Sequence, residues 1–173
     1  MEWLGDVVTS TEVAIATTTL GSAASTIEFT SISSAYTDLR LVLVCTTSAG
    51  GMSPQIRLNS DSGTNYSMTE LTGNGSSAAT NQQTNRNQVD LYYSGSGTST
   101  TIPMMWTVDF FSYAGSTNKT MLITRSSDQN GSGEVMREVS LWRNTSAINT
   151  ILLRLSTAGN YATGTTATLY GIL

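Results

Sequence analysis

Thr37-Asp38-Leu39-Arg40-Leu41-Val42-Leu43-Val44-Cys45-Thr46-Thr47 is the longest dense aliphatic block in the chain, with polar residues at both ends. Side chains alternate along a strand. An extended chain therefore puts Leu39, Leu41, Leu43 and Cys45 on one face and Arg40, Val42, Val44 and Thr46 on the other. One face is wholly apolar, and the other is apolar only in its middle. That is the pattern of a central strand in a β-sandwich, with the leucine face turned to the core. A helix fits poorly, because Val42, Val44, Thr46 and Thr47 are β-branched and lose side-chain freedom there.

Outward from this block, short strand patterns follow one another. They fall at 13–19, 26–32, 55–59, 66–71, 87–93, 102–113, 119–126, 134–143, 150–156 and 165–172. Turn formers separate them, as in Ser48-Ala-Gly-Gly51 and Asn59-Ser-Asp-Ser-Gly-Thr-Asn65. Two polar stretches, Thr72–Asn85 and Ser94–Thr101, read as exposed loops. Ten or eleven short strands and no helix of useful length predict an all-β fold, a single antiparallel β-sandwich of jelly-roll type. No repeat or compositional break divides the chain. Residues 1–24, an arm and a first strand, belong to the same domain as the sandwich at 25–173.

Composition excludes several functions. The 173 residues are 39% apolar but only 12% charged, and Ser and Thr make up about three residues in ten. The net charge is −4, with no basic run to neutralise phosphates, which argues against nucleic-acid binding. There is no histidine, which removes Ser-His-Asp and Cys-His catalysis and every His-ligated metal site. Cys45 is the lone cysteine, so there is no intrachain disulfide, and on a core face it serves as a small hydrophobe. The N-terminus lacks the cationic and apolar regions of a signal peptide, and no run approaches a membrane span. Five Asn-x-Ser/Thr tripeptides are what chance supplies in a chain this rich in Asn, Ser and Thr.

The remaining carboxylates are scattered and read as solvated. A glycosidase needs two facing one sugar, and a pair such as Asp90 and Asp109 meeting on adjacent strands would be one way to supply them. Asp61-x-Gly63-x-Asn65 has the look of a calcium loop, but it lacks the second acidic position and the closing glutamate, so it reads as a plain turn. No cofactor motif is present. Tyr92, Tyr93 and Trp142 lie near polar strand faces and are the candidates for stacking on a sugar ring. Met1, Trp3 and Leu4 place apolar side chains at a terminus, where polar ones are usual. They either tuck back onto the sandwich or anchor on a neighbouring subunit or another protein.

The run Ile27-Glu-Phe-Thr-Ser-Ile-Ser-Ser-Ala-Tyr-Thr-Asp-Leu-Arg-Leu-Val-Leu43 resembles small virion proteins of tailed phages, many from marine and cyanobacterial hosts. The likeness continues in Ile56–Ser67, Leu71–Ser77, Ser116–Lys119, Leu141-Trp142, Ala147-Ile148 and Ala167–Ile172, and so covers most of residues 25–172. Such proteins often carry Pro where this chain has Ser33 or Ser34, a departure confined to one turn. The resemblance implies a non-enzymatic structural protein of the virus particle with a β-sandwich fold and no cofactor. Similar domains serve as capsid decoration (cement) proteins or in tail fibres. A chain without stalk, collagen-like repeat or coiled coil fits decoration. The implied partners are the major capsid protein and further copies of itself as a dimer or trimer, on the capsid surface after synthesis in the host cytoplasm. The alternative is a tail-fibre or receptor-binding module that grips host glycans through the two polar loops.

Overall fold

A computed structural model describes residues 11–91, 97–128 and 130–173. Among them are twelve strands and no helix. They are β1 (Glu12–Thr19), β2 (Thr26–Phe29), β3 (Asp38–Cys45), β4 (Pro54–Leu58), β5 (Tyr66–Gly73), β6 (Ala78–Arg86), β7 (Val89–Asp90), β8 (Met104–Phe111), β9 (Lys119–Ser127), β10 (Glu134–Trp142), β11 (Ile151–Leu155) and β12 (Thr166–Ile172). Eight form one sheet in the order β1-β12-β3-β8-β9-β10-β5-β6, and four form a second in the order β2-β11-β4-β7. Every pairing is antiparallel. The all-β, two-sheet expectation holds.

The opening stretch sits where its pattern places it. β3 lies between β12 and β8, and Leu39, Leu41, Leu43 and Cys45 are buried to 1% exposure or less. One apolar cluster joins them to Val108 and Phe110 of β8, Ile56 and Leu58 of β4, and Ile151 and Leu153 of β11. Both sheets therefore share a core. Two buried side chains tie the sheets by polar contacts as well. The Trp106 indole donates to the Leu91 carbonyl at 2.8 Å, and the Tyr66 hydroxyl accepts from the Leu58 amide at 3.2 Å.

The turn into β3 is pinned from β8's far end. The Tyr113 hydroxyl donates to the Ser33 carbonyl, and the Asp38 carboxylate accepts from the Ser112 amide at 2.6 Å. Tyr36 lies flat on β12, where a Cβ added to Gly171 would come within 2.4 Å of the ring. Only glycine fits beneath that tyrosine.

Three expectations need correction. The stretch Thr72–Asn85 is not a loop but the end of β5, a turn and β6. Asn74-Gly75-Ser76-Ser77 makes that turn, with Gly75 at φ +85° and Asn74 Oδ1 accepting from the Ser76 and Ser77 amides. The strand was illegible because hydrophobic alternation reports a buried face, and no side chain of β6 is buried. The strand expected from residue 102 begins instead at Met104, after Pro103, which cannot donate to a ladder. Of the strand expected at 87–93, Val89–Asp90 is the strand among the described residues, and Tyr92 and Tyr93 lie outside them.

Candidate functional site

β9, β10, β5 and β6 extend the large sheet beyond β8, and their two faces differ sharply in chemistry. On β10 the set turned inward is Glu134, Met136, Glu138, Ser140 and Trp142, while Val135, Arg137, Val139 and Leu141 face outward. By polarity alone the opposite choice looks better. Size decides it: a buried Trp removes roughly 150–250 Å² from water, more than a pair of exposed valines forfeits.

The inward polar groups are matched to partners. Arg125 of β9, fully buried, bonds Glu134 at 2.8 Å and lies 5.9 Å from the centre of the Trp106 ring. Arg86 bonds Asp90 at 2.7 Å, and the other Asp90 oxygen accepts from Gln55 at 2.6 Å. Lys119, also buried, donates to the Gly115 and Thr117 carbonyls, closing the turn that leads into β9. Glu138 is the strained member. It sits directly opposite Glu70 on β5, both 2% exposed or less. Burial, and then the negative charges of Glu70 and Asp90, push its carboxyl well above the usual range, although a bond from Ser140 Oγ pulls the other way. Such surroundings favour the protonated form of the carboxyl. Apart from Arg86, which is about a third exposed, these groups are buried beneath the sheet.

The outward face is the opposite case. Seven large apolar side chains are exposed among the described residues, and five of them, Leu71, Met105, Phe111, Val135 and Val139, lie on the outer face of the eight-stranded sheet. The most exposed cluster there is Leu71 (54%), Val135 (62%) and Val139 (46%) on the neighbouring strands β5 and β10. Leu71 and Val135 line a shallow groove of about 380 Å³ with Ala78, Thr124 and Arg137. An adjoining groove of about 260 Å³ runs along Thr69, Gln82, Thr84, Val139 and Leu141. Arg137, opposite Leu71 and between Val135 and Val139, is the charged residue of this apolar patch.

The residues singled out from sequence fare differently. Trp142 is fully buried, stacked on Tyr66 with ring centres 6.2 Å apart, and its Nε1 donates to Asp61 at 2.7 Å. It offers no ring face to a sugar, so its place as a glycan contact is withdrawn. Tyr92 and Tyr93, and likewise Met1, Trp3 and Leu4, lie outside the described residues. Asp61 is taken up in its own turn. Its oxygens accept from the Gly63 amide at 2.8 Å, Asn65 Nδ2 at 2.9 Å and Trp142. Burial raises the Asp61 carboxyl, but these donors outweigh it and hold it below the usual value. A carboxylate saturated by N–H donors closes a turn and does not present itself to a cation.

Asp90 and Asp109 do not meet. Asp90 is on β7 of the small sheet, and Asp109 is on β8 of the large one, bonded to Arg40 on the outer face at 2.6 Å. Cys45 is buried, and desolvation pushes its thiol up to about 12, so it is inert at neutral pH. The outer patch went unnoticed in the sequence. Its one signal was the second apolar set on β10, Val135, Val139 and Leu141, interleaved with Met136 and Trp142.

Comparisons of the chain with protein-family models, with curated proteins and with solved structures return no match.

Proposed function

We propose that this protein is a non-enzymatic structural component of a phage particle, a decoration protein that docks on the major capsid protein through the outer face of its large sheet. The observation that carries the reading is the contrast between the two faces of β5 and β10. Glu70, Glu134 and Glu138 are shut inside, while Leu71, Val135 and Val139 are presented on the outer face around Arg137. A docking protein needs an apolar centre on a pre-organised scaffold. A hydrolase needs its carboxylates in reach of solvent.

The strand orders support the jelly-roll reading that goes with this function. β1-β12-β3-β8 and β2-β11-β4-β7 follow the order of an eight-stranded double Greek key. The hairpins β5-β6 and β9-β10 are then insertions that widen one sheet. Jelly rolls serve in both capsid and lectin domains. The capsid role is favoured here because the lectin role has lost Trp142 to the core and Thr72–Asn85 to a strand.

Quantitative mass spectrometry of purified virions tests the proposal. Hundreds of copies per particle are expected, and Val135→Ser with Val139→Ser should strip the protein from capsids without unfolding it. A handful of copies per particle, or glycan binding by the isolated chain, would overturn it in favour of a tail role.

A further inference from the structure

The large sheet has two edges, and so does the small one. Three of these four edges carry features that discourage pairing with another strand. β1 is interrupted between Ala14 and Ala16 by a shift of register and begins with the charged Glu12, which bonds Arg40 at 3.3 Å. β2 is four residues long with Glu28 exposed at its middle, and β7 is two residues long. The fourth edge, β6, has none of these. Its stretch Ala78-Ala79-Thr80-Asn81-Gln82-Gln83 runs in unbroken register against β5 and contains no charge, no proline and no glycine. The first bulge comes after Gln83, opposite Ser67, where Asn85 takes a left-handed conformation. The first charge is Arg86, already committed to Asp90. No described strand covers β6 on its far side.

From this edge we infer that β6 pairs antiparallel with β6 of a second copy, making a two-fold dimer whose large sheets join into one. Side-chain chemistry commits the edge to a second copy. Pairing a strand with itself across a two-fold axis sets the residues at the axis against their own kind and every other residue against a different member of the same run. A charged residue near the axis would meet itself or its twin, and like charges opposite one another are destabilising. Thr, Asn and Gln allow it, because each carries both a donor and an acceptor and so complements itself. The neutral run Ala78–Asn85 meets that condition in every antiparallel register whose axis lies within it away from Arg86. The outward amides and carbonyls of β6 supply the bonds, as in other cases of strand addition.

The geometry has a consequence for the outer face. The two-fold axis of an antiparallel pair stands perpendicular to the sheet, so both copies turn the same face to the same side. Leu71 and Val135 of both copies then lie on one side of the joined sheet, with the outward Thr80 and Gln82 of the two β6 strands between them. The dimer presents two copies of the apolar surface on one side, and neither is covered. A joint made mainly by one strand falls in the small-interface class, below about 1,200 Å² in total, so the dimer forms in a concentration-dependent way. This inference stands whether or not the virion reading is right.

Sedimentation equilibrium on the full chain, over a dilution series, reads the outcome. The expected result is a mass of twice the chain falling to one on dilution, and a single-chain mass at all concentrations for Thr80→Lys with Gln82→Lys, both exposed positions. Thr17→Lys, an exposed position on the opposite edge, should leave the dimer intact. Hydrogen exchange on the unmodified chain covers the case in which the lysine variant fails to fold. Amides of 78–83 should be protected in the dimer and exchange at least tenfold faster on dilution. A monomer up to the solubility limit, a trimer, a folded lysine variant that still dimerises, or exchange at β6 independent of concentration would each overturn the inference.

Discussion

Glu138 is the residue whose burial is least explained by hydrophobicity, and its surroundings make it a pH sensor for the fold. It faces Glu70 from β5 and feels Asp90 from β7, and its second oxygen, Oε2, has no hydrogen-bond partner. Its folded value is raised above its unfolded one, so its contribution to stability is complete below the unfolded carboxyl range. That contribution is lost as pH climbs through the raised folded value. Glu138→Gln keeps the shape and the Ser140 contact while removing the charge. The variant should match the natural chain in acid and exceed it in stability toward neutral and alkaline pH. Parallel urea-unfolding midpoints across that range would refute this account. Nothing in the sequence marked Glu138, since an alternating Glu on a strand reads as solvated until the face of that strand is known.

At the scale of elements, legibility followed burial. β3 announced itself because four consecutive alternate positions face a core. β6 did not, because a strand without a packed face leaves no period in its side chains. Its hairpin turn was nevertheless written in Asn74-Gly75, a pair suited to turns that require positive φ. Gly75→Val should therefore act on this hairpin alone. A β-branched residue at φ +85° is strained, costing about 1–3 kcal/mol. Exchange of β6 amides should quicken while β3 and β8 remain protected. A global loss of protection would show that the hairpin is coupled to the core more tightly than its exposure suggests.

For the whole molecule, the division of labour between the two faces of the large sheet yields a paired prediction. Leu41 is fully buried between β12 and β8, and Leu41→Ala should cost about 2–5 kcal/mol through lost burial and a cavity. Val139→Ser on the outer face should change stability by no more than about 0.5 kcal/mol. Denaturant unfolding of the two variants separates them, and a large cost at Val139 would mean that the outer face is already covered within one chain. The sequence by itself determined the class of the fold, the central place of Thr37–Thr47, the inertness of Cys45 and the absence of histidine chemistry. Each of these depends on composition or on local alternation, which a strand displays wherever one face is buried. Only the tertiary structure decided which face of β10 turns inward, that Trp142 belongs to the core and holds Asp61, that β6 is a bare edge, and that Leu71, Val135 and Val139 come together. Those outcomes depend on which strands become neighbours, and pairing across many residues of chain is set by packing the largest side chains, not by the pattern within any one strand.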